Sequence, residues 1–252
     1  MRRVHYLLLV FVCAVAAACS DGGGETATLE FDVSNFLVTP GATEAGIIDI
    51  DGESVDYLIT LPEGFAVGDT APVLLALPPG GQDLEITRNT ANAVYHREAI
   101  RLGWVVVSPA APGGDLFFDG GEDVLPGFVD WIEAWVTPEG GAPHVAGISN
   151  GGISAFRFAA ENPDRLQSLV VFPGFAQSDD DREALAQLSG IPVRMHVGGN
   201  DTGWIAESEA TFTALIAAGT NVRLETYPGE NHVIQATSDG QIIFSQLESF
   251  RG

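Results

Sequence analysis

The sequence predicts an α/β fold, in which a mostly parallel β-sheet carries helices on both faces. Short, continuous apolar runs alternate with amphipathic stretches along most of the chain, which is typical of strands buried on both sides. The 252 residues show no internal repeat and no composition change after the N-terminal segment. We therefore expect one domain with a large core.

The elements follow in chain order. The runs Gly46–Ile50 and Val55–Leu61 flank the turn Asp51-Gly52, which predicts an antiparallel hairpin at the start of the domain. Six strands are expected after Pro72: Val73–Leu77, Trp104–Val107, His144–Ile148, Leu169–Phe172, Val193–Val197 and Val222–Tyr227. Five helices are expected between them: Thr90–Leu102, Leu125–Val136, Ile153–Asn162, Arg182–Leu188 and Ile205–Ala218. The segment between Phe172 and Ile191 is too short for an inserted cap domain.

The N-terminus predicts export. Arg2 and Arg3 precede the apolar run Tyr6–Ala18, which has the charge and length of a secretory signal and is too short to span a bilayer. Ala16-Ala17-Ala18-Cys19-Ser20 resembles the lipobox of bacterial lipoproteins, which implies lipidation of Cys19. The alternative is a plain signal peptide and a secreted protein.

These features divide the chain into three parts. Residues 1–18 are predicted to be a lipoprotein-type signal peptide, 19–28 a flexible glycine-rich tether, and 29–252 the folded domain. Cys13 would leave with the signal peptide, so the exported domain would rely on its core and not on a disulfide.

Charge restricts the partners. The chain has 34 Asp and Glu against 11 basic residues, all of them Arg, for a net charge of −23. Such a surface repels nucleic acid and anionic lipid. Membrane attachment is therefore expected only through a lipid anchor, and a neutral ester, small or polymeric, is the expected substrate. The sequence does not indicate an oligomeric state.

A G-x-S-x-G pattern carries the chemistry. Gly147-Ile148-Ser149-Asn150-Gly151 stands at the end of a predicted strand and before a predicted helix, the setting of a nucleophile elbow. A nucleophile on such a tight turn needs small residues two positions to either side, because strand and helix would otherwise collide. Ser149 is therefore the candidate nucleophile.

A serine nucleophile needs a base, and the base needs an orienting carboxylate. Asp201 and His232 follow Ser149 in the chain order of doubly wound hydrolases, and each comes just past the end of a predicted strand. A rival acid would come from Asp179-Asp180-Asp181, although adjacent Asp residues are more typical of a helix start.

The oxyanion needs two N–H donors. The residue after the nucleophile, Asn150, supplies the first. The loop after Val73–Leu77 supplies the second, with Gly81 as the first choice and Gln82 as the alternate. A plain Pro-Gly turn is the alternative interpretation of this loop.

Four residues near these motifs are candidates for a substrate pocket. Gln82 lies in the proposed oxyanion loop and Trp204 follows the candidate acid. Phe117 and Phe118 lie in a glycine-rich loop, and they either line a pocket or plug the core beneath it. No P-loop, dinucleotide fingerprint or Cys/His metal spacing is found, so neither a metal nor a cofactor is expected.

From about Pro72 to His232 the chain resembles the α/β-hydrolase superfamily. The Ser149 motif, together with Asn162-Pro163-Asp164-Arg165, is similar to the polyhydroxybutyrate-depolymerase/feruloyl-esterase-like group and to the phospholipase/carboxylesterase group. The resemblance implies ester hydrolysis through an acyl-enzyme, without metal or cofactor. One departure is that Pro79-Gly80 stands where these families usually have His-Gly.

The leading hypothesis is an exported, lipid-anchored serine hydrolase that cleaves carboxylic esters. A serine peptidase of the same fold is the alternative within the same chemistry. A non-catalytic surface binding protein on a hydrolase scaffold is the alternative from another class.

Overall fold

The structure, a computed structural model, describes residues 38–251. The predicted signal peptide, the lipidation site Cys19 and the predicted tether lie outside the described residues, as does the start of the predicted domain. No helix within residues 38–251 has the length and apolarity needed to cross a membrane.

An eight-stranded sheet forms the centre of the domain, in the order β1-β2-β5-β4-β7-β8-β9-β10. Its strands are β1 (Thr43–Ile50), β2 (Glu53–Thr60), β4 (Val73–Leu77), β5 (Val105–Pro109), β7 (His144–Gly147), β8 (Leu169–Val171), β9 (Val193–Gly198) and β10 (Val222–Tyr227). The β1–β2 and β2–β5 pairs are antiparallel, and the other pairs are parallel. Two short strands, β3 (Thr70–Ala71) and β6 (Thr137–Pro138), pair separately. The predicted α/β class and hairpin are confirmed.

Helices cover both faces of the sheet. They are α1 (Leu84–Thr90), a π-helical turn (Ala91–Tyr95), α2 (His96–Leu102), α3 (Val124–Glu133), α4 (Asn150–Glu161), α5 (Asp179–Ala184), α6 (Thr202–Ala217) and α7 (Gln241–Glu248). Alternate residues of β4 serve opposite cores, because Leu75 belongs to the core cluster that contains Phe128 and Phe156, whereas Leu74 belongs to the one that contains Tyr95 and Phe244. This two-sided burial explains the continuous apolar runs.

Two helix predictions need correction. The helix predicted from Thr90 begins at Leu84, because Asp83 caps it by accepting a hydrogen bond from the Ile86 N–H at 2.9 Å. Helix α7 is absent from the sequence-based set, although its buried Ile243, Phe244 and Leu247 follow helical spacing.

Candidate active site

Ser149 lies on a strained turn between β7 and α4, with φ of 56°. A non-glycine residue in this region is uncommon and marks the elbow that lifts a nucleophile above its sheet. A Cβ atom at Gly147 would lie 2.1 Å from the Gly151 carbonyl oxygen, and one at Gly151 would lie 2.2 Å from the Leu77 carbonyl oxygen. The sequence-based expectation that small residues must flank the nucleophile is therefore correct.

Ser149, His232 and Asp201 form a hydrogen-bonded chain. The Ser149 Oγ lies 2.8 Å from the His232 Nε2, and the His232 Nδ1 lies 2.7 Å from the Asp201 Oδ2. The Asp201 side chain is 13% exposed and that of His232 is 39% exposed. This is the arrangement in which an imidazole can take the hydroxyl proton while a carboxylate holds its other nitrogen.

Hydrogen bonds between two loops hold the acid and the base together. The Gly199 N–H donates to the Tyr227 carbonyl at 2.8 Å, and the Asn200 N–H donates to the Glu230 carbonyl at 2.9 Å. The Asn200 amide adds a third bond, to the Gly229 carbonyl at 3.0 Å. The loop after β9 and the loop after β10 are thus tied to each other directly beside Asp201 and His232.

The rival acids lie elsewhere. Asp179, Asp180 and Asp181 form the first turn of α5, where Asp181 joins a capping box with Ser178. The Asp181 carboxylate also pairs with Arg157 at 3.0 Å, and within residues 38–251 none of the three bonds to His232.

In the described chain, no group of three or more His, Cys, Asp or Glu side chains is placed to hold a metal ion.

Of the two predicted oxyanion donors, Asn150 follows Ser149 directly in the chain, and Gly81 follows Gly80, which lines the same cavity as Ser149. Asn150 begins α4, where a backbone N–H has no acceptor within the helix. Across residues 38–251, neither its N–H nor that of Gly81 has a hydrogen-bond acceptor. The alternate donor fits less well, because the Gln82 N–H already donates to the Pro79 carbonyl at 3.1 Å.

The Asn150 side chain has a separate task. Its amide donates to the Gly80 carbonyl at 2.9 Å. A trans peptide is planar, so holding the Gly80 carbonyl also fixes the direction of the Gly81 N–H on the other side of the same bond. This contact positions the Pro79-Gly80 loop from the side of Ser149.

Replacing Asn150 by Ala should therefore lower kcat for an ester by about tenfold and leave KM nearly unchanged. The backbone donors remain in this variant, so the loss should stay below the roughly 100-fold or larger effect of removing a donor. Asn162→Ala is the matched control, because that amide also bonds a backbone carbonyl, Phe158 O at 3.0 Å, at the other end of α4. Equal kcat values for the two variants would contradict the positioning role.

None of the four predicted pocket residues is among the residues that line the cavity beside Ser149. Gln82 and Phe117 are fully buried, and Phe118 is half-buried with its carbonyl bound by Arg157. The Gln82 Oε1 accepts from the Phe117 N–H at 2.8 Å, while its Nε2 donates to the Ser154 hydroxyl at 3.1 Å. Gln82 thus braces the oxyanion loop against α4 and the loop of Phe117, and Phe117 is the core plug of the alternative interpretation.

Trp204, the fourth predicted pocket residue, lies next to the triad. Its ring packs against His232 with centroids 4.6 Å apart and against Phe175 at 4.8 Å. It does not line the cavity that adjoins Ser149. Trp204 therefore supports one side of the imidazole.

The cavity beside Ser149 and His232 has a volume of about 370 Å³. Its other lining residues, which the sequence analysis did not assign to a pocket, come from five segments: Pro79, Gly80, Thr90, Val94, Ile148, Phe172, Val233, Ile234, Thr237 and Ser238. A signal was available for three of them, since Ile148 precedes Ser149 and Val233 and Ile234 follow His232. Thr90 and Val94 carry no such signal, because only the folding of α1 and of the π-helical turn after it brings them to the site.

Part of the chain is similar to a known family of hydrolases. A model of the dienelactone hydrolase family matches residues 122–246, which include Ser149, Asp201 and His232. No curated protein was found to match the sequence.

Solved structures with similar folds include an esterase from the fungus Rhizomucor miehei, at 17% identity and TM-score 0.64 over 83% of each chain. A dienelactone hydrolase from Anabaena variabilis matches at 20% identity and TM-score 0.57, over 83% of this chain and 96% of that one. A thermostable esterase matches at 15% identity and TM-score 0.60 over 83% of this chain, which spans only 61% of that protein. Likeness at such identities shows the α/β-hydrolase fold.

Proposed function

We propose that this chain, which has an α/β-hydrolase fold, is a hydrolase that cleaves carboxylic esters through an acyl-enzyme formed on Ser149. One observation carries the proposal, namely the two short hydrogen bonds that link Ser149, His232 and Asp201 in order. The unoccupied N–H groups of Gly81 and Asn150 next to Ser149 support it.

The reaction follows from the positions of these groups. The His232 Nε2 takes the Ser149 proton as the Oγ–carbonyl bond forms, and the Gly81 and Asn150 N–H groups donate to the developing oxyanion. The alkoxide then leaves with the proton from His232. Water, deprotonated by His232, releases the acid and restores Ser149, while Asp201 holds the Nδ1–H throughout.

Labelling with a fluorophosphonate tests this proposal. The expected result is one adduct on Ser149, located by peptide mass spectrometry, together with hydrolysis of p-nitrophenyl acetate. Faster turnover of an aminoacyl p-nitroanilide than of the ester would favour the peptidase alternative. No adduct on Ser149 would favour the non-catalytic binding protein.

Export and lipid anchoring belong to the proposal, and they rest on the sequence of residues 1–28. The high negative charge supports anchoring through lipid and not through surface charge. Two or more acyl chains on one residue anchor a protein stably where one chain is marginal. Mass spectrometry of the mature N-terminus should find acylated Cys19, and an unmodified terminus at another residue would refute the anchor.

A further inference from the structure

The cavity beside Ser149 is apolar on nearly every side. Val94, Ile148, Phe172, Val233 and Ile234 face it, and His232 is the ionisable group among its lining residues. At about 370 Å³, it lies near the lower end of the range of about 300–1,000 Å³ that is usual for ligand sites. It can therefore enclose one small group.

The polar atoms in the lining are largely engaged within the protein. The Thr237 hydroxyl donates to the Ile234 carbonyl at 2.9 Å, and the Ser238 hydroxyl donates to the Gln235 carbonyl at 2.7 Å. No Arg lies among the lining residues, and the chain has no Lys. A carboxylate placed in the cavity would thus lose its hydration without gaining an ionic partner.

The wall that carries Val94 packs closely against the segment before α7. Val94 belongs to the π-helical turn Ala91–Tyr95, a local widening of the kind often found at functional sites. Gly240, just before α7, packs directly on it, because a Cβ there would lie 2.0 Å from the Val94 carbonyl oxygen. This backbone contact supports the turn that carries Val94.

We propose that the cavity binds an uncharged hydrocarbon arm of the ester, and that Val94 sets the length of that arm. The proposal rests on the proposed function, since the cavity opens on Ser149 and His232. It adds a substrate class, namely small neutral esters with one apolar arm, and a residue that limits the size of the arm.

Two series of esters test the proposal. One varies the acyl group from p-nitrophenyl acetate to p-nitrophenyl hexanoate, and the other varies the alcohol from methyl acetate to hexyl acetate. In one series kcat/KM should rise by about fourfold for each methylene until the cavity is filled. The series that shows the rise identifies the arm, and a rise in neither would overturn the proposal.

Variants at Val94 test the role of this residue. Val94→Phe should remove the gain for the longest ester and leave the shortest within about twofold of wild type, because only the long arm reaches the filled space. Val94→Ala should move the optimum to longer arms and remains informative if the Phe variant does not fold. Val67→Phe is the matched control, since Val67 is 47% exposed and lies outside the lining.

Charge provides a third comparison. In the series that shows the gain, a carboxylate at the end of the arm should lower kcat/KM by at least about tenfold. In the acyl series, mono-p-nitrophenyl adipate is compared with p-nitrophenyl hexanoate. In the alcohol series, 6-acetoxyhexanoate is compared with hexyl acetate. Equal rates would overturn the proposal, as would an equal loss on every ester in Val94→Phe.

The proposed function is judged separately. If the fluorophosphonate labels Ser149 and the unlabelled enzyme hydrolyses p-nitrophenyl acetate, the proposed function stands even when the proposal on the cavity fails. If Ser149 is not labelled, the result counts against the proposed function itself.

Discussion

Replacing Ser149 by Ala is expected to lower kcat for p-nitrophenyl acetate by a factor on the order of 10⁵ or more. The variant keeps the Gly81 and Asn150 donors and the cavity, but it cannot form the covalent intermediate. Stability should change by less than about 1.5 kcal/mol, because the substitution removes one half-exposed hydrogen bond and keeps the backbone conformation.

The measurement is steady-state hydrolysis together with a thermal melt. Ser178→Ala is a suitable control, since this serine caps α5 and takes no part in the site. The double variant Ser149→Ala/His232→Ala should be no slower than Ser149→Ala alone, because members of one catalytic unit are not additive. Activity in Ser149→Ala above about one tenth of the wild-type value would refute the assignment of the nucleophile.

Lowering the pH from 7 to 5.5 should destabilise the folded protein through two buried histidines. His144 and His196 are 1% and 2% exposed. Burial lowers the pKa of His144 to about 4, helped by Arg251, and that of His196 to about 3, helped by Arg194. Both rings are therefore neutral in the folded protein near neutral pH.

The sign of the effect follows from proton linkage. In the unfolded chain both histidines take up a proton as the pH falls through about 6.5, whereas in the folded protein they stay neutral until far lower pH. Their contribution is complete above pH 6.5 and is lost progressively as the pH falls toward the folded pKa values. Each ring should cost roughly 1.4 kcal/mol per pH unit within that window.

Urea unfolding at pH 7.0, 6.0 and 5.5 measures this slope. His144→Gln and His196→Gln should each remove about half of it, whatever their effect on stability at pH 7. Relief of charge repulsion acts in the opposite direction, because protonation of carboxylates reduces the net charge of −23. Stability that rises from pH 7 to 5.5 would therefore show that the two histidines do not dominate.

Much of the fold was predictable because burial on both faces leaves a strong signal. The β4 run Val73–Leu77 is fully buried, and a strand of this kind appears in the sequence as an unbroken apolar stretch. The ends of helices were less accurate, since the capping role of Asp83 depends on where the preceding loop turns. Helix α7 was missed although its apolar spacing is helical.

The candidate site, like the fold, could be predicted only in part from the sequence. Ser149, Asp201 and His232 were predictable because the chemistry demands an order, a turn and strand ends that can be found in the sequence. The bracing role of Gln82 was not predictable, because its side-chain hydrogen bonds to Ser154 and Phe117 exist only once distant segments meet. The cavity was missed for the same reason, since it forms between elements that are far apart in the chain.

The helical segment that forms one wall of the cavity contains neither a member of the proposed triad nor a proposed oxyanion donor. Thr90 and Val94 belong to residues 84–102, whereas Ser149, Asp201 and His232 occupy three other connections. Substitutions in that wall would thus alter which molecules enter without disturbing the bond-breaking groups. Because the cavity wall and the proposed catalytic residues belong to different segments, single substitutions in the wall could change substrate preference during evolution without changing the catalytic residues. Thr90 and Val94 are therefore the first positions to randomise in a directed-evolution library.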